Sequence, residues 1–598
     1  MSFTTRPELR GTFGAVASTH WLASGVGMAV LEKGGNAFDA AVAMGFTLQV
    51  VEPHLNGLGG EVPIVLRSAE QGKTRILCGQ GVAPAGATIA HYRGEGLDMV
   101  PGAGLLATVV PGAFDAWMRL LRDHGSLPPR EVLSYAISYA EDGYPLVAMI
   151  AATIERVAEL LRDEWPTSAE VYLPGGNLPI PGQLFRNPAL GATYRRLLDE
   201  GEAAGANREA QIEAMRRAWS QGFIAEEIER FATGQELMDT SGERHRGVIR
   251  ADDLTRWEAT YEDPLTLDFR GYTLCKGGPW SQGPVLLQQL ALLDGFALDA
   301  MPPTGPDFVH TIVECAKLAF ADREAYYGDP DFVPVPIDTL LSADYAKERR
   351  ELVGKTASLE LRPGRIPGFE SQVDAMLESV ATETPETADA LGGGEPTVQT
   401  SGAARGDTCH IDVIDRWGNM VGATPSGGWL QSSPVIPSLG FCLNSRGQMF
   451  WLEEGLPASL APGKRPRSTL SVNLVLKDQE PYMVFGTPGG DYQDQWSLGV
   501  FLRHAVHGMN LQEAIDAPAF QTDHMPSSFW PRSAKLGSLK TEDRFPAATL
   551  EELRRRGHRL EVSDAWSLGR VSAVARDADG ALKAAANPRF MQGYAIAR

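Results

Sequence analysis

Thr408 is the residue whose setting points most directly to chemistry. It sits in the run Gly406-Asp407-Thr408-Cys409-His410-Ile411-Asp412-Val413, where Ile411 and Val413 alternate with His410 and Asp412 as in a strand. A cut between Asp407 and Thr408 would leave Thr408 with a free α-amine. A hydroxyl is a weak nucleophile at neutral pH and needs a base beside it. An N-terminal threonine carries that base on its own backbone, so no catalytic histidine is required. Threonine is also a common strand residue, and on these eight residues alone an ordinary strand start is the simpler reading.

The hairpin that follows adds a second hydroxyl. Segments 408–414 and 420–426 flank Asp415-Arg-Trp-Gly-Asn419, a turn-rich loop. Pairing them symmetrically about Trp417 sets Thr408 opposite Ser426 and His410 opposite Thr424, with Cβ atoms about 5 Å apart. A hydroxyl beside the nucleophile is what a proton relay needs. Further on, a strand at 481–486 enters Thr487-Pro-Gly-Gly490, followed by a helix from about Gln495 to His507. A glycine pair at a strand-to-helix junction exposes backbone N–H groups, as an oxyanion hole requires; its alternative is a tight turn. The loop Asn56-Gly-Leu-Gly-Gly60 lacks the Lys-Ser/Thr of a P-loop and the strand-to-helix order of a dinucleotide fingerprint. It reads as a turn that lets backbones pack.

These residues need a scaffold, and the chain supplies recognisable elements. A helix over 21–33 ends at Gly34-Gly35, where a left-handed residue is tolerated. Asn36 caps a second helix over 37–51, which is apolar almost all round and must be buried on most sides. A strand follows at 62–67. Residues 110–165 are helical in pattern, with Pro128-Pro129 opening one helix, and 205–240 hold two more. The period changes to two around 261–274, helices return at 285–293 and 310–327, and strands resume after 408. Near the C-terminus come a helix at 547–556 ended by Gly557, a strand at 558–562 and a hairpin turned at Asp577-Ala-Asp-Gly580. Residues 370–407 hold Glu370, Asp374, Glu378, Glu383, Glu386, Asp389 and Glu395, with Arg405 as the one basic residue. They read as a flexible linker, where a chain cut is tolerated.

With 598 residues, 43% of them hydrophobic and 22% charged, the composition is that of a soluble globular protein. A net charge of −21 argues against nucleic acid and anionic membranes as partners. Five scattered cysteines with no CxxC, and no HExxH, suggest neither a structural zinc site nor a zincin and suit a reducing compartment. The N-terminal segment lacks an apolar signal region, and no run reaches the length of a membrane span, so a cytoplasmic location is expected.

Several blocks together resemble the γ-glutamyltransferase (γ-glutamyl transpeptidase) family of N-terminal nucleophile hydrolases. They are Gly34-Gly-Asn-Ala-Phe-Asp-Ala-Ala-Val-Ala43, Gly57-Leu-Gly-Gly60, Val110-Pro-Gly-Ala113, Ala319-Phe-Ala-Asp-Arg-Glu324, Gly328-Asp-Pro330, Asp407-Thr-Cys-His410, Lys464-Arg-Pro-Arg-Ser-Thr-Leu-Ser471 and Gly486-Thr-Pro-Gly-Gly490. They follow the family's order over nearly the whole chain. The resemblance implies an α+β fold, a four-layer αββα sandwich, and a precursor that cuts itself into a large subunit, 1–407, and a small subunit, 408–598. It implies that Thr408 is the nucleophile, Ser426 stands where a supporting threonine stands, Gly489 and Gly490 form the oxyanion hole, and Ser468 and Thr469 hold a substrate carboxylate.

The departures from the family fall on substrate recognition. The asparagine that lies two residues past the supporting threonine is Gly428 here. A glutamine and an acidic residue that meet the substrate α-amine are replaced by Arg446 and Met449. The arginine that clamps the α-carboxylate is Ile89, and Arg93, one helical turn on, is placed to compensate. Losing an ion pair to the α-amine lowers selectivity for that group. Arg446 offers a planar donor fork to a carboxylate, or else a surface salt bridge.

The expected function is that of a self-cleaving amide hydrolase or acyl transferase with no cofactor and no metal, acting on γ-glutamyl or related amides with water or an amino compound as acceptor. One alternative is an acylase or amidohydrolase for a small carboxylated amide. A second, from a different class, is an uncut, catalytically silent binding protein. The expected assembly is a heterodimer of the two cleavage products.

Overall fold

The strands alternate apolar side chains between two faces, and this sets the layering. Along Gly14–Ser18, Val16 joins a helix-covered core while Ala15 and Ala17 join a layer between two sheets. The structure, a computed structural model, describes residues 3–381 and 408–598. One seven-stranded sheet runs Tyr594–Ala597, Gly14–Ser18, Ile411–Asp415, Met420–Ala423, Val62–Ser68, Lys73–Gly79, Thr260–Glu262, with every neighbour antiparallel. The other seven-stranded sheet runs Leu9–Gly11, Leu582–Ala586, Ser572–Arg576, Glu480–Gly486, Asn473–Lys477, Tyr272–Lys276, Leu265–Phe269, again antiparallel throughout.

Val16, Ile64, Leu66, Ile411 and Val413 face helices that include Trp21–Glu32, Ala37–Val51, Ala113–His124 and Pro129–Asp142. Leu274, Val475, Phe485 and Ala573 face Pro284–Leu293, Pro306–Tyr326 and Gln493–Ala505 on the opposite side. Between the sheets lie Val65, Ile414, Met420, Leu474, Val484, Val574 and Ala584. The order helix, sheet, sheet, helix is the expected αββα sandwich. Both sheets mix strands from before residue 382 with strands from after residue 407.

All fifteen residues of Ala37–Val51 are buried, as a helix apolar almost all round demands. Its start is fixed reciprocally. Asn36 Oδ1 accepts from Phe38 N (2.9 Å) and Asp39 N (3.0 Å), while Asn36 N donates to Asp39 Oδ2 (3.0 Å). Such a cap contributes about 1 kcal/mol. Gly45 is required by packing, because a Cβ there would lie 2.5 Å from the Trp117 indole.

The linker expected over 370–407 is corrected in its first third. Glu370–Ala381 is a helix whose Val373 and Met376 are buried in the second core. Residues 382–407, Asp407 among them, lie outside the described residues. Among the described residues no helix is long and apolar enough to cross a membrane.

Candidate active site

The hairpin register places the two hydroxyls together as its symmetry predicts. Ile411 pairs with Ala423 and Val413 with Val421, and the same antiparallel register continues to a bridge between Thr408 and Ser426. Both side chains are buried, with Thr408 Oγ1 3.1 Å from Ser426 Oγ. The His410–Thr424 pair is also formed, at 3.0 Å between Nδ1 and Oγ1. The register extends one strand further, since Ser426 also pairs with Glu61: Glu61 N donates to Ser426 O (2.9 Å) and Ser426 N to Glu61 O (3.0 Å). Directly opposed residues share a sheet face, so Thr408, Ser426 and the Glu61 carboxylate form a row.

Arg446 closes this row. It is fully buried, not a surface ion pair. Its Nε donates to Glu61 Oε1 (2.5 Å) and a terminal nitrogen donates to Ser426 Oγ (2.8 Å), so these donors of the fork are engaged by the protein. Burial pushes the Glu61 carboxyl upward, and Arg446 opposes that rise. The loop carrying Arg446 is held by Asn444, whose Oδ1 accepts from Arg446 N (3.2 Å) and Val109 N (3.1 Å) and whose Nδ2 donates to Gly59 O (2.9 Å). The glycines of 57–60 serve close backbone approach. A Cβ on Gly57 would lie 2.1 Å from Gly428 O, and one on Gly60 2.1 Å from Ser426 O.

The glycine loop meets the site from the other sheet. His410 lies against Gly486, the last residue of Glu480–Gly486, so the strand that follows Thr408 and the strand feeding Thr487-Pro488-Gly489-Gly490 touch directly. Gly489 (φ 133°) and Gly490 (φ 54°) take backbone conformations that favour glycine. Phe529 lies both 6.0 Å from the Arg446 guanidinium and in the path of any side chain on Gly490, which places the loop on the Arg446 side of the site. The loop is anchored behind by Asp491, which accepts from Arg323 (2.5 Å), Ser528 Oγ (2.6 Å) and Ser528 N (2.9 Å). Burial alone would raise the Asp491 carboxyl, but Arg323 and the Ser528 bonds outweigh it and hold it below the ordinary range.

Ser468 and Thr469 adjoin this loop through Gln282, whose N donates to Ser468 O (2.8 Å) and whose Nε2 donates to Gly490 O (3.1 Å). Ser468 Oγ accepts from Leu470 N (3.3 Å). Thr469 Oγ1 is buried and has no hydrogen-bond partner among the described residues. Arg93 is exposed and donates to Leu452 O (3.0 Å); no described contact joins it to Thr408, Ser426, Ser468 or Thr469.

Sequence reasoning missed Glu61, which the long-range pairing of Val62–Ser68 with Met420–Ala423 sets opposite Ser426. It also missed Glu52, which lies against Cys409, the residue after Thr408. Cys409 Sγ (2.9 Å) and Thr19 Oγ1 (2.6 Å) both donate to Glu52 Oε2, which ties the Thr408 strand to the end of the buried helix. His410 Nε2 bonds Asp412 Oδ1 (2.8 Å), and Asp412 Oδ2 accepts from Ser572 Oγ (2.8 Å) on the facing sheet. Away from this site, His310, Glu314 and His558 bring metal-type donors together, but Lys317 Nζ lies 2.6 Å from Glu314 and the two imidazoles bond each other at 2.8 Å.

A buried hydroxyl pair beside a glycine loop suits attack on an acyl carbon with stabilisation of the resulting oxyanion. Comparison with known proteins agrees. The family profile described as Gamma-glutamyltranspeptidase matches residues 23–597. The chain is 30% identical to the "Glutathione hydrolase-like YwrD proenzyme" of Bacillus subtilis (strain 168), over 97% of each chain. It is 31% identical to the "Oxamate amidohydrolase proenzyme" of Klebsiella pneumoniae, again over 97% of each. A solved structure titled "Structure of LmbA2991HD" is 58% identical with a TM-score of 0.92, covering 100% of both chains. With its profile match spanning nearly every residue, the chain belongs to the gamma-glutamyltranspeptidase family of self-cleaving amide hydrolases and acyl transferases.

Proposed function

We propose that the protein cuts itself between Asp407 and Thr408 and then acts as an amide hydrolase or acyl transferase through the new N-terminal threonine. Thr408 Oγ1 attacks the Asp407 carbonyl carbon, the C–N bond breaks as the acyl group moves to oxygen, and water hydrolyses the ester. The freed α-amine then takes the Thr408 hydroxyl proton as Oγ1 attacks a substrate amide carbonyl. Backbone N–H groups at Gly489 and Gly490 bind the oxyanion, the amine leaves carrying a proton, and water or an amino compound releases the acyl group. The observation that carries this reading is the 3.1 Å contact between Thr408 Oγ1 and Ser426 Oγ, buried beside the glycine loop. Because the two pieces, 1–407 and 408–598, share both sheets, they stay together after the cut as a heterodimer. Intact-mass measurement of wild type and Thr408→Ala tests it. Two pieces are expected for wild type and one full-length chain for the variant; a cut variant refutes the assignment.

The substrate is a γ-glutamyl or related amide. A narrower reading, a small carboxylated amide without an α-amine, is favoured by one observation. Met449 replaces the family's acidic residue, and Arg446, in the glutamine position, already pairs with Glu61 and Ser426. Ser468 and Thr469 remain to hold the substrate carboxylate. Parallel turnover of γ-glutamyl-p-nitroanilide and oxamate separates the two, and rapid γ-glutamyl turnover would sink the narrower reading. An uncut, silent binding protein is disfavoured by a site that keeps nucleophile, hydroxyl partner and glycine loop together. A reducing, cytoplasmic location is supported by five free, buried thiols, and cell fractionation tests it.

A further inference from the structure

The charge pair beside the two hydroxyls has consequences for where their protons lie. A guanidinium has five N–H donors and no lone pair, so Arg446 can only donate to Ser426. Its 2.8 Å contact therefore fixes Ser426 Oγ as an acceptor and leaves the Ser426 proton to be given elsewhere. Thr408 Oγ1 is 3.1 Å away. A hydroxyl that accepts from a buried cation is a stronger donor in turn, because each bond polarises the next.

The arrangement is fixed from two directions. Glu61 holds the Arg446 Nε at 2.5 Å, and the main chain of Glu61 pairs with that of Ser426 through both of its hydrogen bonds. Carboxylate, guanidinium and hydroxyl are thus tied to one backbone ladder. The rings of Trp429 (5.4 Å) and Phe529 (6.0 Å) flank the guanidinium. The resemblance puts glutamine at the position of Arg446, so the cation departs from the family's pattern.

We propose that Glu61 and Arg446 form a positioning device for the nucleophile. The pair turns the Ser426 hydroxyl toward Thr408 and sets a positive charge behind it. When the Thr408 proton leaves for its acceptor, the charge left on Oγ1 is met by the Ser426 O–H, which stays bonded. No bond of Arg446 or Glu61 is made or broken. The inference rests on Thr408 as the nucleophile.

Self-cleavage of the full chain needs no added substrate and gives the first readout. Arg446→Met is expected to slow it about 100-fold, as loss of one oxyanion-stabilising donor does. Arg446→Lys, which keeps the charge, is expected to recover at least about tenfold of that loss, with the melting transition still cooperative in each variant. The second readout is the pH dependence of cyanate labelling of the Thr408 α-amine in the mature protein. Removing the cation raises the basicity of that amine, so Arg446→Met moves the midpoint to higher pH; Glu61→Gln leaves the cation unopposed and moves it lower. A purely structural role would not move the two midpoints in opposite directions. Wild-type cleavage by Arg446→Met with an unmoved midpoint overturns the proposal. Should that variant not fold, unmoved midpoints in Arg446→Lys and Glu61→Gln together overturn it instead. Thr408→Ala that is still cut sinks the nucleophile reading itself, whereas an uncut Thr408→Ala beside an unaffected Arg446→Met sinks only this inference.

Discussion

The His410 ring occupies the space that a side chain on Gly486 would need, since a Cβ there would lie 2.4 Å from His410 Cε1. The strand that follows Thr408 and the strand that delivers the glycine loop are therefore spaced by an imidazole. That imidazole is fixed at both nitrogens, by Thr424 and Asp412.

Gly486→Ala is expected to cost about 1–3 kcal/mol by overpacking this contact. It should also slow self-cleavage by more than its stability loss implies, because the sheets would separate where the hydroxyl and the glycine loop must meet. Urea denaturation and a time course of cleavage on denaturing gels give the two numbers. Cleavage at the wild-type rate would show that this spacing is not critical.

Ser426 supplies the hydroxyl that touches Thr408 Oγ1. Ser426→Ala is expected to slow self-cleavage about 100-fold, the range for loss of a positioned proton-transfer or hydrogen-bonding group. Ser426→Thr keeps the hydroxyl and should retain most of the rate. Equal rates for Ser426→Ala and wild type, followed by mass spectrometry, would show that the Ser426 hydroxyl does not support Thr408.

Much of this site was legible in the sequence, for an identifiable reason. A hairpin closed by a short, turn-rich loop has its register set locally, so counting outward from Trp417 sufficed to pair Thr408 with Ser426. Glu61 lies some 350 residues from that hairpin, and only the long-range pairing of Val62–Ser68 with Met420–Ala423 brings it into the row. The depth of Arg446 was hidden for the same reason, because the partner that permits its burial is Glu61. The helix Glu370–Ala381 was obscured by its charge. Asp374 faces solvent and pairs with Arg365, while Val373 and Met376 reach the core at helical spacing.

Asp491 makes the glycine loop sensitive to acid. Its folded carboxyl sits below the ordinary value of 3.8, so the unfolded chain binds more protons around and below that value. The stabilisation is present above the ordinary value and is lost as pH falls through the folded one. Asp491→Asn leaves the buried Arg323 with Glu324 as its remaining carboxylate partner among the described residues, and is expected to cost about 3–5 kcal/mol. Its urea midpoint should then fall less steeply than wild type below about pH 4. Parallel acid slopes for the two proteins would contradict the assignment.

Thr469 and Ser468 separate binding from stability. Thr469 Oγ1 is buried without a partner among the described residues, whereas Ser468 Oγ accepts from Leu470 N. An unsatisfied buried hydroxyl costs about 1–3 kcal/mol, so replacing it with a methyl of the same shape relieves the fold. Thr469→Val is therefore expected to melt at or above the wild-type temperature. If the hydroxyl is kept to hold a substrate carboxylate, the same variant should raise KM about tenfold with kcat little changed, since a bond made equally in ground and transition states acts on KM. Ser468→Ala should lower both stability and affinity, because its oxygen serves the backbone as well. Steady-state kinetics on oxamate and γ-glutamyl-p-nitroanilide, run beside thermal melts, read both effects. A Thr469→Val enzyme with unchanged KM on every carboxylated amide it turns over would place the carboxylate site elsewhere.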